Sequence, residues 1–367
     1  MAVVTFETKN TDNGFVIGIA TLNVEKALNA LNLEMIELLY NQLLDWQSDE
    51  KVSMVLLQGA GDKAFCAGGD VVSLYNAMHT GEPSDYIETF FTKEYRLDYL
   101  IHNYAKPFCV WGNGIIMGGG LGLMAGASHR VLTESSRIAM PEITIGLYPD
   151  VGGSYFLNKM PTQVGLFLGL TGASVNALDA LYIGLGDTVI EHQFKSELID
   201  SLISTKWSIN ADENHQALSH LLTTFNAKSD INLPANVESH NAVFAAMAEV
   251  DAIADKVDAI LSFETDDKWL TRAQKGLSHG SPLSAHLVYQ QLNRANGLSL
   301  KACFQMELGM SVRCGQLGEF REGVRALLID KDNAPKWQFD AISNVDSDVI
   351  ESFFNVEWPN GHPLTDL

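Results

Sequence analysis

The chain has 367 residues, 46% of them hydrophobic and 19% charged, with a formal net charge of −21 and a pI of about 4.7. That composition fits a folded globular chain, long enough for one large domain with an appendage or for two domains. A surface this acidic excludes nucleic acid and anionic membrane as partners, and any phosphate-bearing ligand must be met by local Lys, Arg or backbone N–H groups.

Val3 to Glu7 and Phe15 to Leu22 are β-rich runs. Thr11-Asp12-Asn13-Gly14 joins them, and the Asn-Gly pair predicts a tight hairpin. From Ala30 to Trp46 the residues Leu31, Met35, Leu38, Leu39, Leu43 and Trp46 recur at helical spacing. Val52 to Gln58 reads as a short apolar strand closed by Gly59-Ala60-Gly61. A helix is expected from Val71 to Ala77, then a polar loop through Gly81 and Pro83, then an amphipathic helix from Tyr86 to His102. Pro107 closes that helix, because proline cannot donate a helix bond. Phe108 to Trp111 is the next strand, followed by a glycine cluster, a helix to about Gly126 and a strand near Arg130 to Thr133. Strand and helix alternate, which predicts an α/β core.

From about Val164 onward helical patterns dominate. Asn210 to Ser239 is polar and reads as an insertion or surface loops. Ala242 to Phe263 and Pro282 to Asn296 read as helices. The expected division is an α/β core over residues 1–200 and a mostly helical region over 201–367.

The four cysteines, Cys66, Cys109, Cys303 and Cys314, form no CxxC pair, so neither a zinc site nor a disulfide scaffold is expected. Free thiols suit a reducing, cytoplasmic setting, and Met1 to Asn10 carries no signal-peptide pattern. Phe108 to Ala127 is uncharged, with Gly114, Gly118, Gly122 and Gly126 at every fourth position. Its seven glycines make it a poor lipid-facing helix, so no membrane span is expected.

Three motifs invite other readings. Gly120-Leu121-Gly122-Leu123-Met124-Ala125 fits GxGxxA, but the strand ending near Trp111 lies too far upstream for a dinucleotide turn. Gly276-Leu277-Ser278-His279-Gly280 fits GxSxG, yet a charged helical stretch precedes it where a nucleophile elbow needs a strand. A helix end at Gly276 and a new helix capped near Ser281 explain it better. His102, His129 and His279 read as surface or capping residues.

The chemistry is concentrated in three stretches. Lys63 to Asp70 and Ile116 to Gly122 each place small residues at a helix start, where free N–H groups can meet an anion or a polarised carbonyl. Two such turns could form an oxyanion hole. The third stretch, Met140 to Gly153, holds Glu142 and Asp150 among apolar residues. Burial there would raise their pKa values toward the working range of an acid or base.

These stretches resemble the crotonase (enoyl-CoA hydratase/isomerase) superfamily. The likeness runs from Leu22-Asn23 and Lys26 to Leu31, through Phe65 to Asp70 and Gly118 to Gly120, to Pro141-Glu142 and Gly152-Gly153. Phe90 to Tyr95, Gly146 to Gly153, Ser281 to Ser284 and Glu322 to Asp332 followed by Pro335-Lys336-Trp337 resemble its acyl-CoA thioester hydrolases. The resemblance implies a spiral of ββα units with a helical C-terminal part, often used in family oligomers, so a homo-oligomer is expected. It implies that the N–H groups of Gly69 and Gly119 hold the thioester oxygen, that Glu142 and Asp150 are the acidic pair, and that Glu94 faces the acyl group. Lys26, Leu28 and the backbone around Ala67 would meet the CoA nucleotide. No metal or separate cofactor is implied, since CoA arrives as part of the acyl-CoA substrate. The family's hydratases carry a glutamate two residues after the triple glycine, where this chain has Gly122, and a small residue where it has Asp150. Hydrolysis of a short 3-hydroxyacyl-CoA is therefore the expected reaction. An enoyl-CoA hydratase or isomerase and a non-catalytic CoA-binding protein are the alternatives.

Overall fold

The computed structural model describes residues 2–81 and 85–367. Pro83, in the loop expected after the second helix, lies outside the described residues. The chain forms two compact units, each assembled from separate stretches. Met1–Gly69, Leu97–Ile138 and Val175–Ala235 make the first; Asp70–Arg96, Ala139–Ser174 and Asn236–Leu367 make the second. The structure thus divides differently from the break expected near residue 200, because consecutive segments of the chain pass from one unit to the other.

The strands among the described residues are β1 (Val4–Asn10), β2 (Val16–Leu22), β3 (Val52–Gly59), β4 (Ala64–Cys66), β5 (Phe108–Gly112), β6 (Ile115–Met117), β7 (His129–Leu132), β8 (Arg137–Ala139) and β9 (Thr188–Val189). They form a six-stranded sheet in the order β1-β2-β3-β5-β7-β9 and a three-stranded sheet in the order β4-β6-β8. β1 and β2 are antiparallel. The remaining pairs of the large sheet are parallel. Each turn of the chain lays one strand in the large sheet, the next in the small sheet, and then a helix. β3 and β4 lead to the helix Val71–Thr80, β5 and β6 to Gly119–Ala125, and β7 and β8 to the short 3-10 helix Glu142–Ile145. This is the expected ββα spiral. Gly69, Gly119 and Glu142 each follow a small-sheet strand by two or three residues along the chain.

Period-two alternation sends Ile17 and Ile19, Met54 and Leu56, and Cys109 and Trp111 to one face of the large sheet. There they pack with Leu198, Leu202, Leu218, Leu222 and Phe225. The last three lie on the helix Ala211–Lys228. The segment read as an insertion or surface loops is therefore largely a helix that covers the sheet. Its polar face gives the segment its loop-like composition, while its apolar stripe is buried.

Other departures are local. The β1–β2 connection spans five residues, closed by Thr11 N–H to the Phe15 carbonyl at 2.9 Å. Gly14 is left-handed (φ 89°), whereas the Asn13 side chain donates to the Trp207 carbonyl at 2.7 Å. Strand β6 was hidden in the glycine cluster. The helix expected over Ala242 to Phe263 is two, Asn241–Ala248 and Ile253–Leu261. Among the described residues no helix is long and apolar enough to cross a membrane.

The second unit is mainly helical. Lys268–His279, Pro282–Ala295 and Leu300–Leu317 are its longest complete helices. Ser281 caps the second of these, accepting from Ser284 N–H at 3.0 Å with Pro282 in the first turn, as expected. Ser278 of the GxSxG match is exposed near the end of the helix before it and donates to the Lys275 carbonyl, so no nucleophile elbow exists there.

Candidate active site

In the first unit, the paired strands β4 and β6 run parallel and each ends in a glycine turn. Gly68 takes φ 111° and Gly118 φ 48°, both left-handed conformations that glycine tolerates best. A Cβ on Gly120 would stand 2.3 Å from the Cys66 carbonyl oxygen. That close approach permits only glycine and fixes the start of the helix Gly119–Ala125 against the end of β4. Gly119 N–H therefore belongs to a helix N-terminus whose first amides lack intrahelical acceptors.

The segment before Leu31 is pinned to the same corner. Leu28 and Asn29 are both left-handed, at φ 51° and 57°. Buried Asn29 holds them there. It accepts from Val24 N–H and donates to the Ala60 and Ala64 carbonyls, all at 3.0 Å. Ala67 N–H donates to the Leu28 carbonyl at 3.0 Å. Lys26 is exposed on the turn Glu25–Ala27. Lys26, Leu28 and Ala67 are thus brought together in the first unit.

In the second unit, the three carboxyls singled out from sequence lie in one buried electrostatic cluster. Glu94 on the helix Tyr86–His102 is 2% exposed, Glu142 is 5% and Asp150 is 4%. Burial first, then the Asp150 charge, holds Glu142 well above the usual carboxylate range. Glu94 is raised for the same reasons, with Glu142 adding to the repulsion. Burial pushes Asp150 up only to about 6, because a hydrogen bond from Tyr95 opposes it. Oε2 of Glu142 and Oε1 of Glu94 are buried without a hydrogen-bond partner. Buried together and repelling one another, the three carboxyls resist full ionisation, so the cluster can retain and exchange protons.

Two features set the acids in place. Glu142 opens a 3-10 helix ended by left-handed Gly146 (φ 71°), where a Cβ would meet the Glu319 carbonyl oxygen at 2.5 Å. Asp150 sits in a strained turn. Val151 has φ 51°, unusual for a β-branched residue, and Gly152 has φ 88°. Glu307, fully buried on the helix Leu300–Leu317, clamps this turn by accepting Gly152 N–H and Ser154 N–H, each at 2.8 Å. Gln291 adds hydrogen bonds to the Pro149 carbonyl and to Ser154 Oγ. Tyr95 donates to Asp150 Oδ2 at 2.7 Å, and its hydroxyl also meets Ser311 Oγ at 2.7 Å.

Tyr95 and Tyr148 lay in motifs singled out from sequence but without a role, and Ser311, Glu307 and Gln291 escaped the sequence reading. A signal for Glu307 and Ser311 was present. They share a helical stripe with Cys303, Phe304, Leu308 and Cys314, all buried. A carboxyl on such a stripe marks a buried polar contact. His129 is a second correction. It is buried, 7% exposed, and bonded to Ser128 and Ser219, so it is not a surface residue. Among the described residues no group of three or more His, Cys, Asp or Glu suits a metal ion.

A family model described as Enoyl-CoA hydratase/isomerase matches residues 17–354. A curated relative from Danio rerio, named 3-hydroxyisobutyryl-CoA hydrolase, mitochondrial, is 36% identical over 343 residues, covering 92% of this chain and 87% of its own. The Homo sapiens protein of that name is 32% identical, with coverage of 92% and 86%. Their names give a mitochondrial setting, so they lend the cytoplasmic expectation no support. A solved carnitinyl-CoA dehydratase from Mycobacterium thermoresistibile superposes with a TM-score of 0.84 at 29% identity, covering 96% of this chain and 97% of its own. An enoyl-CoA hydratase from Rhodobacter sphaeroides gives 0.81 at 28% identity, covering 95% and 96%. Fold, motifs and relatives agree that this chain belongs to the enoyl-CoA hydratase/isomerase family.

Proposed function

We propose that the chain hydrolyses a short 3-hydroxyacyl-CoA thioester, foremost 3-hydroxyisobutyryl-CoA, giving 3-hydroxyisobutyrate and CoA in the breakdown of valine. The observation that carries this reading is the buried set Glu94, Glu142 and Asp150. The glutamate of the family's hydratases is replaced by Gly122, so the acid partner of Glu142 has moved to Asp150. The hydrolase names borne by relatives along 92% of the chain support the same reading.

In this mechanism the N–H groups of Gly69 and Gly119 stabilise the charge that develops on the thioester oxygen. Glu142 acts in one of two ways. As nucleophile, its carboxylate displaces CoA thiolate and forms a mixed anhydride, which water then cleaves to the free acid. As base, it takes a proton from water, and the hydroxide displaces the thiolate directly. Either way the thiolate gains a proton and the net reaction consumes one water. Asp150 takes up and returns that proton. Glu94 binds the substrate hydroxyl, and Lys26, Leu28 and Ala67 meet the CoA nucleotide.

The second reading, hydration of an enoyl-CoA, draws support from the likeness to the Rhodobacter sphaeroides enoyl-CoA hydratase. Free-CoA release measured across a short panel of acyl-CoAs, beside hydration of crotonyl-CoA, separates the two. Fast release from 3-hydroxyisobutyryl-CoA with negligible hydration is expected; the reverse result rejects hydrolysis.

A further inference from the structure

We propose that Tyr95, Ser311 and Tyr148 form a hydroxyl chain one proton short, which is completed when Asp150 takes up a proton, and which thereby favours the protonated form of Asp150. The inference deepens the reading above and rests on Asp150 being one of its reacting acids.

The chain consists of four consecutive contacts. Asp150 Oδ2 to the Tyr95 hydroxyl is 2.7 Å, Tyr95 to Ser311 Oγ 2.7 Å, Ser311 to the Tyr148 hydroxyl 2.7 Å, and Tyr148 to the Glu307 carbonyl oxygen 2.6 Å. Each O···O contact of that length needs one proton between its two oxygens. Three hydroxyls supply three protons for four contacts. While Asp150 is ionised, one contact must lack a proton. Tyr95 then donates to the carboxylate and Tyr148 to the Glu307 carbonyl, so the one Ser311 proton must serve two contacts, Tyr95–Ser311 and Ser311–Tyr148. Once Asp150 is protonated the count closes. Its O–H donates to Tyr95, Tyr95 to Ser311, Ser311 to Tyr148, and Tyr148 to the Glu307 carbonyl. Only C–O rotations separate the two states. None of these five residues is more than 4% exposed.

Burial disfavours the charged form of Asp150 as well. Among the described residues, the groups whose own ionisation the Asp150 charge disfavours are Glu94 and Tyr95 from one helix, Glu142 from the 3-10 helix, Tyr148 from the turn, and Glu307 and Cys314 from the helix Leu300–Leu317. Every one of them is an acid, so none offsets a charge on Asp150. Glu142 and Glu94, by contrast, have no comparable chain and each leaves one oxygen unpartnered.

Proton counting gives opposite signs for two similar substitutions. Tyr95→Phe removes the only hydroxyl in the chain that touches the carboxylate, and the Asp150 pKa rises by roughly one to two units. Tyr148→Phe removes the surplus contacts. Two contacts and two hydroxyl protons remain, the ionised form loses its disadvantage, and the pKa falls by roughly half a unit to one unit. Ser311→Ala deletes the same surplus and lowers it likewise. A set of independent donors would raise the pKa in all three variants.

The test is a carboxyl ¹³C NMR titration of Asp-labelled protein, with Asp150→Asn identifying the signal, alongside kcat/KM against pH for each variant. A rise for Tyr95→Phe together with a fall for Tyr148→Phe and Ser311→Ala supports the chain. No fall in either of the latter two overturns it. If the NMR shifts occur but the acid limb of kcat/KM stays still, the chain stands and Asp150 is not a reacting acid.

Discussion

Asp150→Asn is expected to make the protein more stable at neutral pH while removing its activity. The magnitude follows from burial. The folded chain holds Asp150 at about 6, whereas an aspartate in an unfolded chain titrates near ~3.9. A raised folded value means that folding is favoured most when the group is protonated. The contribution to stability is therefore fully present below about pH 4, declines as pH rises, and levels off above about pH 6. Two units correspond to about 3 kcal/mol by pH 8, of which roughly 1–2 kcal/mol is lost between pH 5 and pH 8. Asparagine cannot ionise and still accepts from the Tyr95 hydroxyl, so it escapes this loss. Urea denaturation of both proteins at pH 5 and pH 8 measures it. The stability gap in favour of the variant should widen by roughly 1–2 kcal/mol from the lower pH to the higher. An equal gap at both pH values would refute the claim that burial holds this carboxyl above its unfolded pKa.

Other expectations concern separate parts of the account. Gly120→Ala puts a Cβ 2.3 Å from the Cys66 carbonyl oxygen, so the turn carrying Gly119 must shift. A misplaced oxyanion donor lowers kcat by about 10²–10³-fold, and steady-state kinetics would expose an unchanged kcat. Lys26→Ala is expected to raise KM for the CoA ester several-fold with kcat preserved, because the exposed phosphate contact proposed for it would bind ground state and transition state alike; a pantetheine thioester, which lacks the nucleotide, should be unaffected. In single-turnover hydrolysis in heavy-oxygen water, label recovered in the Glu142 carboxyl identifies the nucleophilic route, while label confined to the product acid identifies the base route.

The parts proposed to react were legible in the sequence because their demands are local. A carboxyl among apolar residues, as at Glu142 and Asp150, and a glycine run at a helix start, as at Gly118 to Gly120, can be read within a dozen residues. The supporting shell could not be read this way. Tyr95 reaches Ser311 across 216 positions and Glu307 reaches Gly152 across 155, so the partners are invisible until the chain folds. Strand β6 has only three residues inside a glycine-rich segment, too few for alternation to show. The helix Ala211–Lys228 was hidden by its composition, since four buried positions, Asn214, Leu218, Leu222 and Phe225, anchor an otherwise polar stretch. The two compact units were not legible for a topological reason: a chain that passes back and forth between them leaves no single compositional break.

Release of free CoA from 3-hydroxyisobutyryl-CoA by the parent protein and by Glu142→Gln, at matched stability, bears most directly on the central claim. Steady turnover by the parent and a loss of at least about 10²-fold in the variant is the predicted result. Equal rates in the two proteins would contradict it and remove Glu142 from the chemistry.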